Sequence, residues 1–240
     1  MIKILILSIY NENEVYSKFL ELQKKYIHSK DNIEAYFITY GNHEEEILVK
    51  DNIISFKGEE GYMKITQKTI MALDYLINVE NKTYDYVIRT NISTIIHLDN
   101  LVTYLENEPR ENLYAGGLLF SIDWMDYKFG INEDTTQKYN LRNFVFAQGT
   151  SIVLSFDVAK YILDNHTLIH YEIIDDVAIG LLLRDHNPEA YKSIVRKKPQ
   201  RSINSYEKDA IFIRNRSVID DDRLDDIERM SSIISTYFSV

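Results

Sequence analysis

The chain contains no cysteine, which excludes disulfides and thiolate metal sites and fits a protein working in the cytoplasm. It also lacks any run near the roughly 18 consecutive apolar residues that a membrane span needs. The apolar stretch over residues 1–7 is followed by no small-residue cleavage site, so it reads as a first strand and not as a leader. Positive charge is scarce: 27 Lys and Arg against 37 Asp and Glu give a net charge of −10. A general nucleic-acid binder needs a basic stripe to neutralise phosphates, so that class is set aside. The one basic concentration, Arg196, Lys197, Lys198, Arg201, Lys208, Arg214 and Arg216, is therefore informative. No repeat, low-complexity tract or linker interrupts the chain. Its 240 residues, 45% of them hydrophobic, are expected to form one globular domain with a sizeable core.

Strand-like and helix-like patterns alternate. Residues 2–9 read as a continuous buried strand, and Val15, Phe19, Leu22 and Tyr26 then share one helical face. Residues 35–40 form a second strand and residues 53–56 a short third, which implies a parallel βαβ unit. After Gly58 and Gly61, Tyr62, Ile65, Thr69, Leu73 and Leu76 recur at helical spacing and leave Lys64, Gln67 and Lys68 off the buried stripe. Tyr86-Val87-Ile88 is the strand around which the rest is arranged. It ends in Arg89, Thr90, Asn91 and Ser93, at the carboxyl end where open α/β sheets bind their ligands. The same polar residues would equally suit a strand that ends in a loop and caps the next helix. That helix covers about residues 98–107, and residues 113–117 return to the sheet. Residues 123–143, with Trp124, Tyr127, Phe129 and Tyr139, show no period and read as a long loop or a functional flap. Ala147-Gln148-Gly149-Thr150 is a turn, residues 151–154 a strand, and Asp157 the expected N-cap of a helix reaching Leu163. A helix opening near Asp175-Asp176 stops before Pro188. A last amphipathic helix carries Leu224, Ile227, Ile234 and Tyr237.

Thr83-Tyr84-Asp85-Tyr86-Val87-Ile88-Arg89-Thr90, followed by a polar cluster and by Leu98, Leu101 and Leu105, resembles the central segment of the β-1,3-galactosyltransferase and Fringe-like glycosyltransferases. There an aromatic-Asp strand runs into Thr-Asp-Asp-Asp. Three more segments are similar and keep the family's order: Lys68-Thr69 in the preceding helix, Gly149 with Ser151 through Leu154-Ser155, and Asp175-Asp176-Val177-Ala178-Ile179-Gly180, like Glu-Asp-Val-x-x-Gly. Together they cover about residues 62–180. The whole chain is also similar to glycosyltransferases of large DNA viruses, where Arg-Thr-Asn-x-Ser-Thr stands in this place, and its Ile-, Asn-, Lys- and Tyr-rich composition suits an AT-rich genome. The resemblance implies a GT-A-like (Rossmann-like) α/β fold, a mostly parallel central sheet flanked by helices in a single domain over residues 1–240. About residues 1–95 would form the nucleotide-binding half and about 96–240 the acceptor and catalytic half. It further implies a hexosyltransferase-type enzyme that takes a UDP- or GDP-sugar donor and a glycan or glycoprotein acceptor and inverts the anomeric centre. Ser8, Ile9 and Tyr10 lie where the base sits in that fold, and Asp85 or Arg89 near the ribose and diphosphate. Lys68, Thr90, Asn91, Ser93 and Gly149 complete the expected donor site.

One departure carries chemistry. The family's Asp-x-Asp holds Mn²⁺ or Mg²⁺ on the donor diphosphate, because hard divalent cations favour carboxylate oxygens. Here Asn91 and Ser93 stand in those positions. Either no metal is required or it binds weakly, or Asp123 or Asp126 supplies the missing carboxylate. Without metal the diphosphate needs cationic side chains, for which Arg214, Arg216, Arg223, Arg89 and Lys68 are candidates. Displacement at an anomeric carbon also needs a base, and the resemblance assigns Asp176, with Asp175 in reserve. By their position alone both would be read as serving the helix terminus, Asp175 as its cap. His166 and His170 read as a surface pair and not as metal ligands. Two other classes stay open: a catalytically silent GT-A-like module that binds glycans or nucleotides, and a nucleotidyltransferase, which would need two metal-binding carboxylates.

Overall fold

Successive residues of the first strand point into two separate apolar clusters, Ile4 and Ile6 into one, Leu5 and Leu7 into the other, and all four are fully buried. A strand covered on both faces belongs to the middle layer of an α/β sandwich. The computed structural model describes residues 1–116, 119–192, 195–196, 209–216 and 223–238. Its elements run β1 (Ile4–Ile9), α1 (Glu14–Lys24), β2 (Ile33–Gly41), β3 (Ile47–Lys50), β4 (Ile53–Lys57), α2 (Ile65–Asp74), β5 (Tyr86–Asn91), β6 (Thr94–Ile96), α3 (Leu98–Leu105), β7 (Tyr114–Gly116) and β8 (Leu119–Ser121). They continue as α4 (Glu133–Lys138), β9 (Val145–Ala147), β10 (Ile152–Ser155), α5 (Phe156–Asp164), α6 (Asp175–His186), α7 (Pro188–Lys192), β11 (Val195–Arg196), β12 (Phe212–Arg214) and α8 (Arg223–Tyr237).

Among the described residues the main sheet has eight strands in the order β11-β7-β10-β5-β1-β2-β4-β3. β1 is parallel to β2 and β5, and β2 to β4, whereas β10 runs antiparallel between β5 and β7. Side chains of α1, α3 and α8 pack with Ile4, Ile6, Tyr86 and Ile88 on one face, and those of α2, α5 and α6 with Leu5, Leu7 and Val87 on the other. This is the mostly parallel sheet with flanking helices, in one domain, that the resemblance implies.

Several expectations are corrected. A strand precedes the expected third one: β3 and β4 form a hairpin closed by Asp51 and Asn52, at φ 50° and 62°. Two left-handed residues in a two-residue loop match the strands' twist. The aperiodic middle region is no long loop. Asp126 bridges Ile131, Asn132 and Thr135 form a capping box at α4, and Ile122, Ile131, Tyr139, Leu141, Phe144 and Phe146 make a third apolar cluster with Ile173, Val177 and Leu181 of the α6 region. Its elements are too short to show a period, and its core partners lie some 40 residues downstream in sequence. Gly130 at φ +70° lets this segment abut the next, since a Cβ there would strike the Glu172 carbonyl, and Ile174 N–H donates to the Phe129 carbonyl at 3.0 Å. Ser155, not Asp157, is the N-cap of α5, and Asp157 accepts from Asn112 N–H at 2.9 Å instead. The expected basic residues Lys197, Lys198, Arg201 and Lys208, with Gly117 of the return strand, lie outside the described residues.

Candidate active site

β1 leads to β2 on one side, and the chain later returns to place β5 on the other, so the sheet's topological switch point lies between β1 and β5. Open sheets bind ligands at the carboxyl ends there. The two ends are joined, Ile92 N–H donating to the Ile9 carbonyl at 3.0 Å. Two side chains from α1 and its end hold the turn that follows β5. Buried Gln23 donates to the carbonyls of Ile92 (3.2 Å) and Thr94 (2.7 Å); the Tyr26 hydroxyl donates to Gln23 Oε1 (2.8 Å) and accepts from Ile96 N–H (3.1 Å). An apolar stripe takes in Tyr26 for its ring but gives no reason to single out Gln23, a polar residue whose partners lie about 70 positions away. β12 then pairs antiparallel with β6, Arg214 opposite Thr94, and Asn215 N–H donates to the Ser93 carbonyl at 3.1 Å. Half-buried Arg214 and exposed Arg216 thus come beside the Asn91 turn. Asn215 in turn donates to the backbone carbonyl of buried Asp226, whose carboxylate binds Arg223 and Arg229 at 3.1 Å each. Arg223 is therefore part of the clamp on α8.

The Asn91 turn does not fit a hard divalent cation. Asn91 Oδ1 is neutral and already accepts the hydroxyls of Ser93 (3.2 Å) and Thr94 (2.9 Å). Asp126 Oδ1 caps its own turn by accepting Lys128 N–H at 3.0 Å, Asp123 is exposed, and among the described residues no three His, Asp or Glu side chains gather as a metal-holding group.

Behind the turn lies a buried charge cluster. Arg89, 4% exposed, donates from Nη1 to the Gly149 carbonyl and pairs through Nη2 with Asp175. Gly149 N–H donates to Asp176 Oδ2 at 2.9 Å, Asp176 Oδ1 accepts from its own Val177 N–H at 2.9 Å, and the Thr90 hydroxyl donates to the Thr150 carbonyl at 2.8 Å. Lys68, 1% exposed, donates to Glu60 Oε1 (2.7 Å), to Oε2 (2.9 Å) and to the Tyr10 carbonyl (2.8 Å). Glu60 also accepts from Tyr40 N–H (2.8 Å) and the Thr39 hydroxyl (3.0 Å), tying α2 to the ends of β1 and β2. Three carboxylates thus face two cations. Burial, and next the charge of Asp175, push Asp176 up to about 7, against the pull of the Gly149 N–H and Arg89. Burial also raises Asp175, opposed chiefly by Arg89, and burial lowers Lys68, opposed by Glu60.

The structure therefore brings Tyr10, Lys68, Arg89, Thr90, Asn91, Gly149, Asp175 and Asp176 to one end of the sheet, with Ser8 buried in the adjoining strand and Ile9 half-exposed at its end. Three placements differ from expectation. Asp85 stands at the opposite, amino end of β5, accepting from Lys3 N–H and pairing with Arg110, both at 2.7 Å, six residues of strand from Asn91. It is too far to share a ligand with that turn. Lys68 is not on a solvated face, because Glu60, which periodicity alone does not single out, neutralises it in the interior. Nor does Asp175 cap α6: Ile174 is the N-cap, and the carboxylate goes to Arg89. Removing one member of a buried pair strands the other charge. Lys68→Met is thus expected to cost about 3 to 5 kcal/mol in urea unfolding, and adding Glu60→Gln to recover part of it; equal stability of Lys68→Met and the parent would show the pair to be dispensable.

This chain belongs to the Galactosyltransferase family, whose model matches residues 31–192, a span holding Arg89, Asn91, Gly149 and Asp176. Beta-1,3-galactosyltransferase 1 of Homo sapiens and that of Mus musculus are each 29% identical to it over 147 residues, covering 58% of this chain and 41% of theirs. The chain thus spans about two fifths of the length of the curated relatives it matches. Among solved structures, an active-site mutant of LgtC aligns at 12% identity and TM-score 0.40, over 74% of this chain and 69% of that one. The apo form of the bifunctional glycosyltransferase WbbM aligns at 11% identity and TM-score 0.46, over 100% of this chain and 52% of that one.

Proposed function

We propose that the chain transfers a hexose from a UDP- or GDP-sugar to a glycan or glycoprotein acceptor with inversion, Asp176 taking the proton of the attacking hydroxyl. The observation that carries this reading is the carboxylate of Asp176 itself. It sits at a helix start beside the switch point, oriented by two N–H groups, and is pushed up to about 7, where a general base is most effective near neutral pH. The nucleotide occupies the carboxyl ends of β1 and β5. Arg214 and Arg216 neutralise the diphosphate in place of Mn²⁺ or Mg²⁺, because the pairing of β12 with β6 brings them beside the Asn91 turn, whereas Lys68 and Arg89 are buried against carboxylates. The cysteine-free composition fits work in the cytoplasm. A panel of UDP- and GDP-sugars with saccharide acceptors, in chelator, tests it: acceptor-dependent release of one nucleoside diphosphate and a product of inverted configuration are expected, and a retained configuration would remove the single-displacement base.

The acceptor side is aromatic. Tyr62, 48% exposed, meets Phe129 edge-on at 5.8 Å and carries Lys128 over its ring at 4.4 Å. Phe129 is hydrogen-bonded to Ile174, the residue before Asp175. A ring at this rim suits the apolar face of a sugar. Tyr62→Ala is expected to raise KM for the acceptor and leave KM for the donor unchanged; a change in donor KM alone would place Tyr62 on the other substrate. The substitution of Asn91 and Ser93 for the family's carboxylates favours one second reading, a module that binds nucleotide or glycan without transferring. Binding with no turnover across the same panel would select it.

A further inference from the structure

We propose that Arg89 is a positioning residue for Asp176 and not a ligand of the donor: its guanidinium holds the Gly149 turn and Asp175, and through them the carboxylate that faces the acceptor. The proposal deepens the reading of Asp176 as base and rests on it. Arg89 is the second residue before Asn91 at the ligand-binding end of the central strand, where a cation would by default be assigned to the diphosphate. Its geometry says otherwise. One branch of the fork donates to the Gly149 carbonyl and the other pairs with Asp175. The remaining nitrogen, Nε, is buried and has no partner among the described residues. The side chain is 5% exposed and that of Asp175 3%. A donor phosphate would have to displace a buried carboxylate to reach it.

The positioning is exerted from both sides of the base. Gly149, its carbonyl fixed by Arg89, aims its N–H at Asp176 Oδ2 at 2.9 Å. A Cβ at Gly149 would lie 3.0 Å from Arg89 Cζ and closer still to Nη1, so any larger residue there would push the fork aside. Asp175, the other partner of Arg89, is the chain neighbour of Asp176. The groups facing Asp176 are the Gly149 N–H from the turn, Arg89 from β5, Asp175 and the Val177 N–H from α6 itself, and Tyr114 from β7. Lys68 of α2 acts on Asp175 and is itself neutralised by Glu60. Arg89 is the cation bonded into this set. A planar fork with two separate targets is a task for arginine; lysine offers a point charge that cannot span both.

The test uses Arg89→Met, Arg89→Lys and the parent. Each is read by donor dissociation constant, by the pH dependence of kcat, and by the titration of Asp176 followed in carbon NMR of labelled aspartate, assigned with Asp176→Asn. Arg89→Met removes the charge that faces both aspartates: the Asp176 midpoint and the acid limb of kcat are expected to shift together, with donor affinity unchanged. Arg89→Lys keeps the charge and loses the fork. Its midpoint should stay near that of the parent while kcat falls about 100-fold from misplacement of the base. This variant keeps the proposal testable if Arg89→Met does not fold. Weakened donor binding in Arg89→Lys, or an unmoved midpoint in folded Arg89→Met, overturns the proposal. If the midpoint moves with Arg89 yet Asp176→Asn still transfers sugar, the positioning stands and the assignment of the base falls.

Discussion

Asp176→Asn is expected to lower kcat by about 100- to 10,000-fold, the range for removing a general base, without weakening the donor, because the lost group acts on the acceptor hydroxyl. In the parent, kcat should rise with pH to a plateau above about 7, since the base works ionised and burial with Asp175 pushes its pKa up to about 7. Stability should move the other way. A carboxyl raised from 3.8 to about 7 in the folded state contributes stability that is fully present below pH 3.8 and lost as pH rises through 7. Some three units correspond to about 4 kcal/mol at most. The variant avoids burying that charge but matches only one of the two N–H groups with its amide oxygen. At pH 8 Asp176→Asn should therefore melt several degrees above the parent, and at pH 5 no higher. A variant that is inactive and less stable at both pH values would make Asp176 a structural residue.

Replacing Arg214 and Arg216 together by Ala is expected to weaken nucleoside diphosphate binding by about 2 to 5 kcal/mol, the scale for truncating one side of a desolvated charge pair. Chelation should leave binding nearly untouched. β12 delivers these arginines to the Asn91 turn, and that turn offers a cation only neutral oxygens, of which Asn91 Oδ1 already accepts the hydroxyls of Ser93 and Thr94. Asn91→Asp puts a carboxylate where the diphosphate needs positive charge. It should weaken binding in chelator and restore it with Mn²⁺. Strong chelator sensitivity in the parent, with the Arg214 and Arg216 variant unaffected, would reverse the assignment.

What could be read in advance follows from how local each signal is. β1 and Tyr86-Val87-Ile88 of β5 are continuous apolar runs, α1 and α2 repeat their apolar residues at helical spacing, and the family-like order of Lys68, Arg89, Gly149 and Asp176 brings together residues that the fold also brings together. What escaped is set by partners distant in sequence. Glu60 looks like a loop acid until Lys68 is found beneath it, and Gln23 like an ordinary helix polar residue until its bonds to the Asn91 turn appear. The packed segment from Ile122 to Phe146 shows no period because its helix spans a turn and a half and its apolar partners sit on α6. Asp85 lies away from the site for a simpler reason. Nearness in sequence to a ligand-binding strand end says nothing about which end, and a six-residue strand separates the two by about 20 Å.

The most direct measurement is a calorimetric titration of UDP and GDP into the parent and into Asp176→Asn, each in chelator and in Mn²⁺. One nucleotide is expected to bind with nearly the same dissociation constant in all four arms, because arginines hold the diphosphate and Asp176 addresses only the acceptor. Absence of binding to the parent at millimolar nucleotide, or binding that appears only with Mn²⁺, would contradict this.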